Sequence, residues 1–477
     1  MNKKLLKTVF QTSKKRNALT FKKKENITSL FNEQVFQSNF FLHAKKELSK
    51  ESNSFTGAKY VENNKFLLSP VLKNLMEKFS HLDFSRTCFV GTQHMLRTTE
   101  HLFDALMQMG AKPENMFFMG KYYSSCQAVI DNIRAKGIHI ETHIIPEKHG
   151  YYKQNLETQA LNLWERVYIH LKKKSNSIDR IIILDEGAHV LETARKSFIS
   201  HWPVLGIEQT RGGLYNHILN KLTFPIVEVA SSAMKKVLEA PLIAEAIIKR
   251  LIKKLASIDM LEDRTFGVIG NGAIGNALIT ALTRQGYQVI VQENHKDCPP
   301  DVRDKLFRVG NKATLIANSD IVLGCTGQDI SEDIDILREM RLKTIFVSCS
   351  SGDIEFNTLL RKLSNEYSLS FNNEIENIVI DRERYREISI LNKGFPINFD
   401  RQPSSVPDKK IQLTRGLLLG ALIQAQLMPY QPSLGVTETN VAHRRMLDPY
   451  IQKEVAQHYE LNVGKTDSIN LNTDTEG

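Results

Sequence analysis

Three glycines, Gly270-Asn-Gly272-Ala-Ile-Gly275, close a short β-prone run, Thr265 to Ile269, and open a helical segment. This spacing suits a diphosphate. Gly270 takes the tight turn, Gly272 lets the backbone approach the pyrophosphate, and Gly275 lets the helix pack closely on the strand. Ala273 and Ile274 begin the helix, whose unpaired N–H groups and partial positive charge face the phosphates. The next strand, YQVIVQE, ends at Glu293, 18 residues after Gly275. A carboxylate there accepts hydrogen bonds from both ribose hydroxyls and repels a 2′-phosphate, so the expected cofactor is NAD rather than NADP. The plainer alternative is a Rossmann domain kept for its packing.

The elements that must position this loop form an αβ rhythm. Residues 65–79 have helical apolar spacing. TCFVGT (87–92) reads as a strand and the segment 94–110 as the helix after it, closed by Gly110. NMFFMG, HIETHII and RIIILDEG read as further strands, and Ala233 to Ser257 as a long helix. A second series, TFGVIG, YQVIVQE, ATLIA, DIVLGCTG, TIFVSCSS and EISIL, runs from Thr265 to about Asn398. After a polar turn, residues 412–426 read as a buried helix that carries Arg415. The fold class is α/β, with two doubly wound, Rossmann-like domains and a helical C-terminal extension.

The chain has 477 residues, 42% hydrophobic, which suits two or three ordinary globular domains. Residues 1–50 hold 12 Lys+Arg against 3 Glu, so most of the net charge of +10 lies there. That arm suits nucleic acid or an acidic membrane, but no aromatic platform accompanies the lysines. A solvated extension is therefore the expectation, with nucleic acid no expected partner otherwise. No apolar run reads as a secretory signal or a membrane span. Five scattered cysteines, Cys88, Cys126, Cys298, Cys325 and Cys349, form no CxxC or Cys/His cluster. They read as free thiols in a reducing, cytoplasmic setting with no metal site.

Ordered segments name a family. TQHMLRTTEHLFDAL, LDEGAHV, IEQTRGGLY, SSAMKKVLEA, VIGNGAIG…VIVQE, CTGQDI and FVSCSSGDIEF follow the order of segments in S-adenosylhomocysteine hydrolase, over roughly residues 80–430. The chain is similar to that family. The resemblance implies a split substrate domain, 60–240 and 400–430, around a NAD-binding domain, 245–398. Residues 1–59 form a basic extension and 431–477 a partly disordered C-terminal one. It implies a tightly bound NAD that oxidises a nucleoside 3′-hydroxyl. The ketone acidifies the C4′ proton, the 5′-thiol leaves, water adds, and the hydroxyl is restored.

Each residue role comes from the resemblance. His94 matches the proton-transfer histidine. Glu186 and Glu239 stand where the family has aspartates, Glu208 matches a family glutamate, and Lys235 matches the lysine that polarises the hydroxyl. Thr210, Thr326, Gly327 and Asn398 join the glycine loop and Glu293 at the cofactor. Taken singly, His94 is as readily a capping or core histidine, Glu208 and Glu239 are solvated carboxylates, and Lys235 beside Lys236 marks an exposed helix face. A homo-oligomer is expected, with closure of one domain on the other.

The departures are systematic. Glu186 and Glu239 each add a methylene. The family's adenine-reading threonine and acid fall at Leu96 and Thr98. Its second histidine falls at Ser351, with Asp353 retained, and a cysteine falls at Ala244. A Gly-His-Pro segment is reduced to Asp400-Arg401-Gln402-Pro403, and the family's Lys-Pro-Asp-His-Tyr-Arg-Tyr segment has no counterpart. The expected ligand is therefore a small molecule other than S-adenosylhomocysteine, with Arg211 and Arg401 as candidate positive charges near it. Two alternatives stand beside this: a catalytically silent NAD-binding sensor or scaffold, and a 2-hydroxyacid-dehydrogenase-like oxidoreductase. The second needs an arginine, which SCSSGDIEF lacks.

Overall fold

A computed structural model describes residues 68–463, apart from 142, 146–147, 195–201, 215–221, 223, 257–263, 293–298, 333–342, 367–377, 383–385 and 429–443. The basic arm, Glu293, Cys298 and the last residues of the chain lie outside this set.

The first sheet contains β1 (Thr87–Gln93), β2 (Met116–Gly120), β3 (His139–Glu141), β4 (Arg180–Asp185), β5 (Val204–Glu208) and β6 (Ile226–Glu228). Their order is β3-β2-β1-β4-β5-β6, and all neighbours run parallel. The second sheet contains β7 (Thr265–Ile269), β8 (Gln288–Gln292), β9 (Phe307–Val309), β10 (Ile321–Gly324), β11 (Lys343–Ser348), β12 (Ile378–Arg382) and β13 (Arg386–Ile390). Its order is β9-β8-β7-β10-β11-β13-β12, parallel except for β12 against β13. Both sheets thus share the 3-2-1-4-5 order at the heart of dinucleotide-binding folds, the second continuing with β13 and then β12, and each has a switch point beside its first strand. Every residue of β1 and β2 is buried, as strands covered by helices on both faces require.

The helices begin with α1 (Pro70–Lys78), where Ser69 accepts the Leu72 N–H and Pro70 takes the first turn. The next, α2 (Arg97–Gln108), starts three residues later than the apolar spacing suggests. Leu96 is extended, and the His94 carbonyl accepts hydrogen bonds from Leu96 N and Thr99 Oγ1. His94 therefore stays at the mouth of β1. HIETHII keeps only Glu141 and its two predecessors as strand. The stretch 313–317 lies within a short helix whose cap, Asn311, accepts from Thr314 N. The long helix expected over 233–257 is divided: Lys235–Glu239 forms a π-helical turn before α3 (Ala240–Ala256).

Helix α3 joins the second sheet's core through Ala244, Ile247 and Leu251. The chain crosses back at residues 391–399, where Leu391 and Ile397 pack in the second core and Phe395 in the first. Arg250 of α3 holds the returning segment, pairing with Asp400 at 3.1 Å and donating to Ser405 O at 2.8 Å. Helix α4 (Asp408–Leu427) then packs on α1, α2 and strands β4 to β6.

Part of the expected helical C-terminal extension, residues 444–463, lies among the described residues. There, β14 (Arg444–Met446) pairs parallel with β6 as the edge of the first sheet, and α5 (Pro449–Val463) packs on α1 and α4. The reason is apolar burial: Ile451 and Val455 are sealed against α4, and a Cβ on Gly420 would sit 2.4 Å from Ile451 Cγ2. Truncation at Ile451→Ala is expected to destabilise the first domain by about 2–5 kcal/mol, read as an earlier denaturant midpoint. An unchanged midpoint would mean that α5 is not part of the cooperative core.

Candidate functional site

The first switch point gathers charge. His94 follows β1, Lys121 follows β2 and Glu186 follows β4, so all three lie at the carboxyl edge of the sheet. Lys121 Nζ donates to Glu186 Oε1 at 2.9 Å, and His94 Nε2 lies 2.9 Å from Glu186 Oε2. That second oxygen is buried yet receives no hydrogen bond in line. His94 Nδ1 meets the Ser124 hydroxyl. Burial works to raise the Glu186 pKa, but His94 and Lys121 outweigh it and hold the carboxyl ionised, well below its usual range. Burial lowers the His94 pKa, with Glu186 opposing, so the imidazole is neutral near pH 7. Lys121 is only 1% exposed, and Glu186 more than restores what burial takes from its pKa.

The π-helical turn sets a second pair on one face. Lys235 Nζ lies 3.2 Å from Glu239 Oε2 and donates to Gln209 O at 2.6 Å. Thr414 of α4 donates to Glu239 Oε1 at 2.7 Å. From Gln209 a polar chain continues: Gln93 Nε2 donates to Gln209 Oε1 at 3.2 Å, and Arg415 Nη1 to Gln93 Oε1 at 3.3 Å. Arg415 feels the charges of both Glu186 and Glu239, and burial lowers its pKa to about 10. One cluster thus holds His94, Glu186, Lys235 and Glu239.

Glu208 does not join them. Its carboxylate accepts from Gly187 N at 3.0 Å, Ala188 N at 2.8 Å, and Thr210 N and Oγ1 at 2.7 Å. It holds two loops at the ends of β4 and β5. Thr210 is likewise occupied there, taking Gly213 N at 3.2 Å. Arg211 is exposed, and Arg401 lies over the Tyr122 ring at 4.1 Å, so neither expected charge stands in the cluster.

The second switch point holds the glycine loop. Gly270 has φ +118°, and a Cβ there would lie 2.6 Å from the Cys325 carbonyl. A Cβ on Gly275 would come within 2.0 Å of Gly270 O, while one on Gly272 would meet nothing within 4 Å. Gly272 caps the helix Ala273–Arg284 without any side-chain hydrogen bond, so the first turn, Ala273 and Ile274 included, keeps open N–H groups. Across the gap, Glu355 accepts from Thr326 Oγ1 at 2.8 Å and Gly327 N at 2.6 Å, fixing that loop. The open helix end, the glycine approach and the switch point fit the diphosphate of NAD. Asn398 is buried on the crossing segment, its carbonyl accepting from Ser405 Oγ at 2.9 Å.

The two carboxyl edges meet. Tyr123, in the loop after β2, accepts a hydrogen bond from Gly352 N, in the loop after β11, at 3.3 Å. The Ser351 hydroxyl, where the second histidine was sought, also bonds Tyr123. The Phe399 and His94 ring centroids are 4.3 Å apart. Asp353 is turned toward Gly150 and Tyr152, and burial pushes its pKa up to about 6.

No family model matches the chain. Two proteins of Mycobacterium tuberculosis, strains CDC 1551 / Oshkosh and H37Rv, each described as uncharacterized, are 27% identical over 342 residues. The match covers 71% of this chain and 64% of theirs, so the chain spans less than two thirds of these relatives' length. Among solved structures, a 2-hydroxyacid dehydrogenase from Ketogulonicigenium vulgare Y25 is similar at 11% identity and TM-score 0.38, covering 73% of this chain and 97% of that one. A glyoxylate reductase from Paecilomyes thermophila is similar at 14% identity and TM-score 0.34, covering 79% and 92%. A NAD-complexed D-isomer specific 2-hydroxyacid dehydrogenase from Lactobacillus delbrueckii ssp. bulgaricus is similar at 17% identity and TM-score 0.27, covering 42% and 73%. At these scores the likeness adds nothing about what this chain does. The resemblance to S-adenosylhomocysteine hydrolase rests on the ordered motifs alone. Among the described residues no helix is long and apolar enough to cross a membrane.

Sequence reading missed Lys121, Gln93 and the placement of Arg415. A lysine directly after a wholly apolar strand, and an arginine within an apolar helix, were the available signals.

Burial first, then the charge of Asp185, pushes Glu208 up to about 8, while Asp185 rises to about 6. A carboxyl raised from about 4.5 contributes stability that is whole below the unfolded pKa and lost as pH rises through the folded one. The thermal midpoint is expected to fall as pH rises from about 5 to about 8, with Asp185 and Asp353 covering the lower part of that range. Glu208→Gln should be less stable by about 1–3 kcal/mol, its amide facing donors, and should flatten the upper part. A slope kept in that variant would remove Glu208 as its source.

Proposed function

We propose that this chain binds NAD at the second switch point and acts on a hydroxyl of a small molecule held at the first. The observation that supports this most is the meeting of the two carboxyl edges at Tyr123 and Gly352, which turns both crevices toward one cleft. Gly270, Gly272, Ala273, Ile274 and Gly275 would hold the diphosphate, with Thr326 and Gly327 across the gap; Glu293 is the proposed ribose partner. NAD, when bound, supplies an acceptor for a hydride from the carbon that bears the hydroxyl.

The chain's own residues do the rest. Lys235, fixed by Gln209 O and Glu239, binds the hydroxyl oxygen and relays the hydroxyl proton to the Glu239 carboxylate as the carbon–oxygen double bond forms and the hydride departs. His94, neutral near pH 7, accepts a proton from a neighbouring carbon. Glu186 then lies beside the imidazolium and stabilises it. Phe399 and Tyr123 cover the imidazole and keep water from it. The ordered motifs favour a transient oxidation, as in S-adenosylhomocysteine hydrolase, on a different ligand. The second reading is a net oxidation, as in a 2-hydroxyacid dehydrogenase. The His94–Glu186 contact favours it, since such an enzyme pairs a histidine with a carboxylate; no arginine follows β11.

The test incubates NAD-loaded protein with hydroxyl-bearing candidates. Transient chemistry changes the substrate while NADH stays at or below one equivalent; net oxidation accumulates NADH. Lys235→Met is expected to lower kcat by about 10²–10⁴ while leaving NAD affinity within about twofold. Gly272→Asp should instead abolish NAD binding in calorimetry. If Lys235→Met and wild type handle every candidate alike, the chain is a silent NAD-binding protein and the catalytic reading fails.

A further inference from the structure

We infer that Arg415 is the recognition residue for a carboxylate on the ligand. This rests on the reading that the first crevice holds the ligand, and it names what that ligand carries. Arg415 lies midway along α4 and is 5% exposed. Its hydrogen bonds go only to neutral groups: Nε to Thr98 Oγ1 at 3.1 Å and Nη1 to Gln93 Oε1 at 3.3 Å. Among the described residues its Nη2 donates to nothing, and it makes no ion pair.

The carboxylates around it are already matched. Glu186 has Lys121 and His94, Glu239 has Lys235, and Asp408 has Arg97 at 3.3 Å. Arg415 feels all three charges without contacting any. A buried guanidinium without a counter-ion is costly. The arrangement is economical only if an anion arrives. Thr98 and Gln93 fix the plane of the fork, leaving Nη2 and the second Nη1 proton for a planar partner. A carboxylate matches that geometry and adds a single negative charge beside Glu186 and Glu239; a phosphate dianion would meet their repulsion more strongly.

The location adds meaning. Thr98 stands where the resembled family reads adenine, and here its hydroxyl is taken by Arg415. Beside it, Arg97 N donates to Pro403 O at 2.9 Å, which brings the return segment over this end of the crevice. This end of the crevice therefore presents the Arg415 guanidinium.

The test uses the full chain loaded with NAD, with acetate, glycolate and benzoate as probes against inorganic phosphate and chloride at matched ionic strength. Thermal midpoints and calorimetric titrations are read. At least one carboxylate should raise the wild-type midpoint, with phosphate and chloride weaker. Arg415→Gln should weaken that binding about 30-fold or more, while its own midpoint without anion stays level or rises, since an unmatched buried charge has been removed. Arg415→Lys, which keeps charge but not the fork, should fall between. A purely structural arginine would give the reverse, a lower midpoint with carboxylate binding retained. The inference is overturned if no carboxylate binds, if phosphate or chloride binds as well as any carboxylate, or if either variant binds like wild type. Separate NAD titrations distinguish the failures: no NAD binding by wild type sinks the functional reading, whereas intact NAD binding without carboxylate binding sinks this inference alone.

Discussion

A parallel sheet wound outward from its centre leaves one gap, where neighbouring strands send their connections to opposite faces. Right-handed crossovers leave no freedom in where that gap falls. This chain makes such a sheet twice, with the same order over the first five strands, so it has two gaps, beside β1 and beside β7. Everything chemical sits at one or the other. His94 and Glu186 are far apart in sequence yet lie 2.9 Å apart because β1 and β4 are neighbours in register. The glycine loop meets Cys325 for the same reason, since β7 and β10 are neighbours. The side chains supply chemistry, but the winding supplies their convergence.

Electrostatics divides the first gap into settled and unsettled parts. Lys121 and Glu186 are both almost fully buried, and each makes the other's charge tolerable. Removing either would strand the other, the usual reason such pairs persist even when they add little net stability. Asp185 and Glu208 lie opposite each other in the β4–β5 ladder and are settled differently, by backbone N–H groups and a raised pKa rather than by a cation. They hold the loops at the ends of β4 and β5. Arg415 is the unsettled member. Among the described residues it makes no ion pair, unlike His94, Lys121, Glu186, Lys235 and Glu239.

Legibility in the sequence followed how local the physics was. The glycine loop was readable because its three constraints act within six residues, and the structure reproduces each. The αβ rhythm was readable because apolar runs and their spacing are local too. Where Glu208 points was not readable, because matching a motif gives a position along the chain but not a direction. Its neighbours Gly187 and Ala188 lie about twenty residues away, across a strand pair. Arg415 was visible as a charge in an apolar helix, but its partners Thr98 and Gln93 are more than three hundred residues away. β14 was invisible because three exposed residues carry no alternation to read. The delayed start of α2 was also beyond periodicity, since a hydrogen bond to the His94 carbonyl decides it.

By the resemblance, Glu186 and Glu239 are each one methylene longer than the aspartates of the family the motifs resemble. A longer side chain on an unchanged backbone carries its oxygens out of place, and such errors are costly at a reacting centre. Here the added length has been absorbed. Glu186 reaches both Lys121 and His94, and Glu239 reaches both Lys235 and Thr414. The π-helical turn at 235–239 bears on this, since such turns shift side-chain positions within a helix and cluster at functional sites. Both carboxylates thus meet a basic side chain and a second polar side chain, whereas Glu208 is held by backbone N–H groups and Thr210.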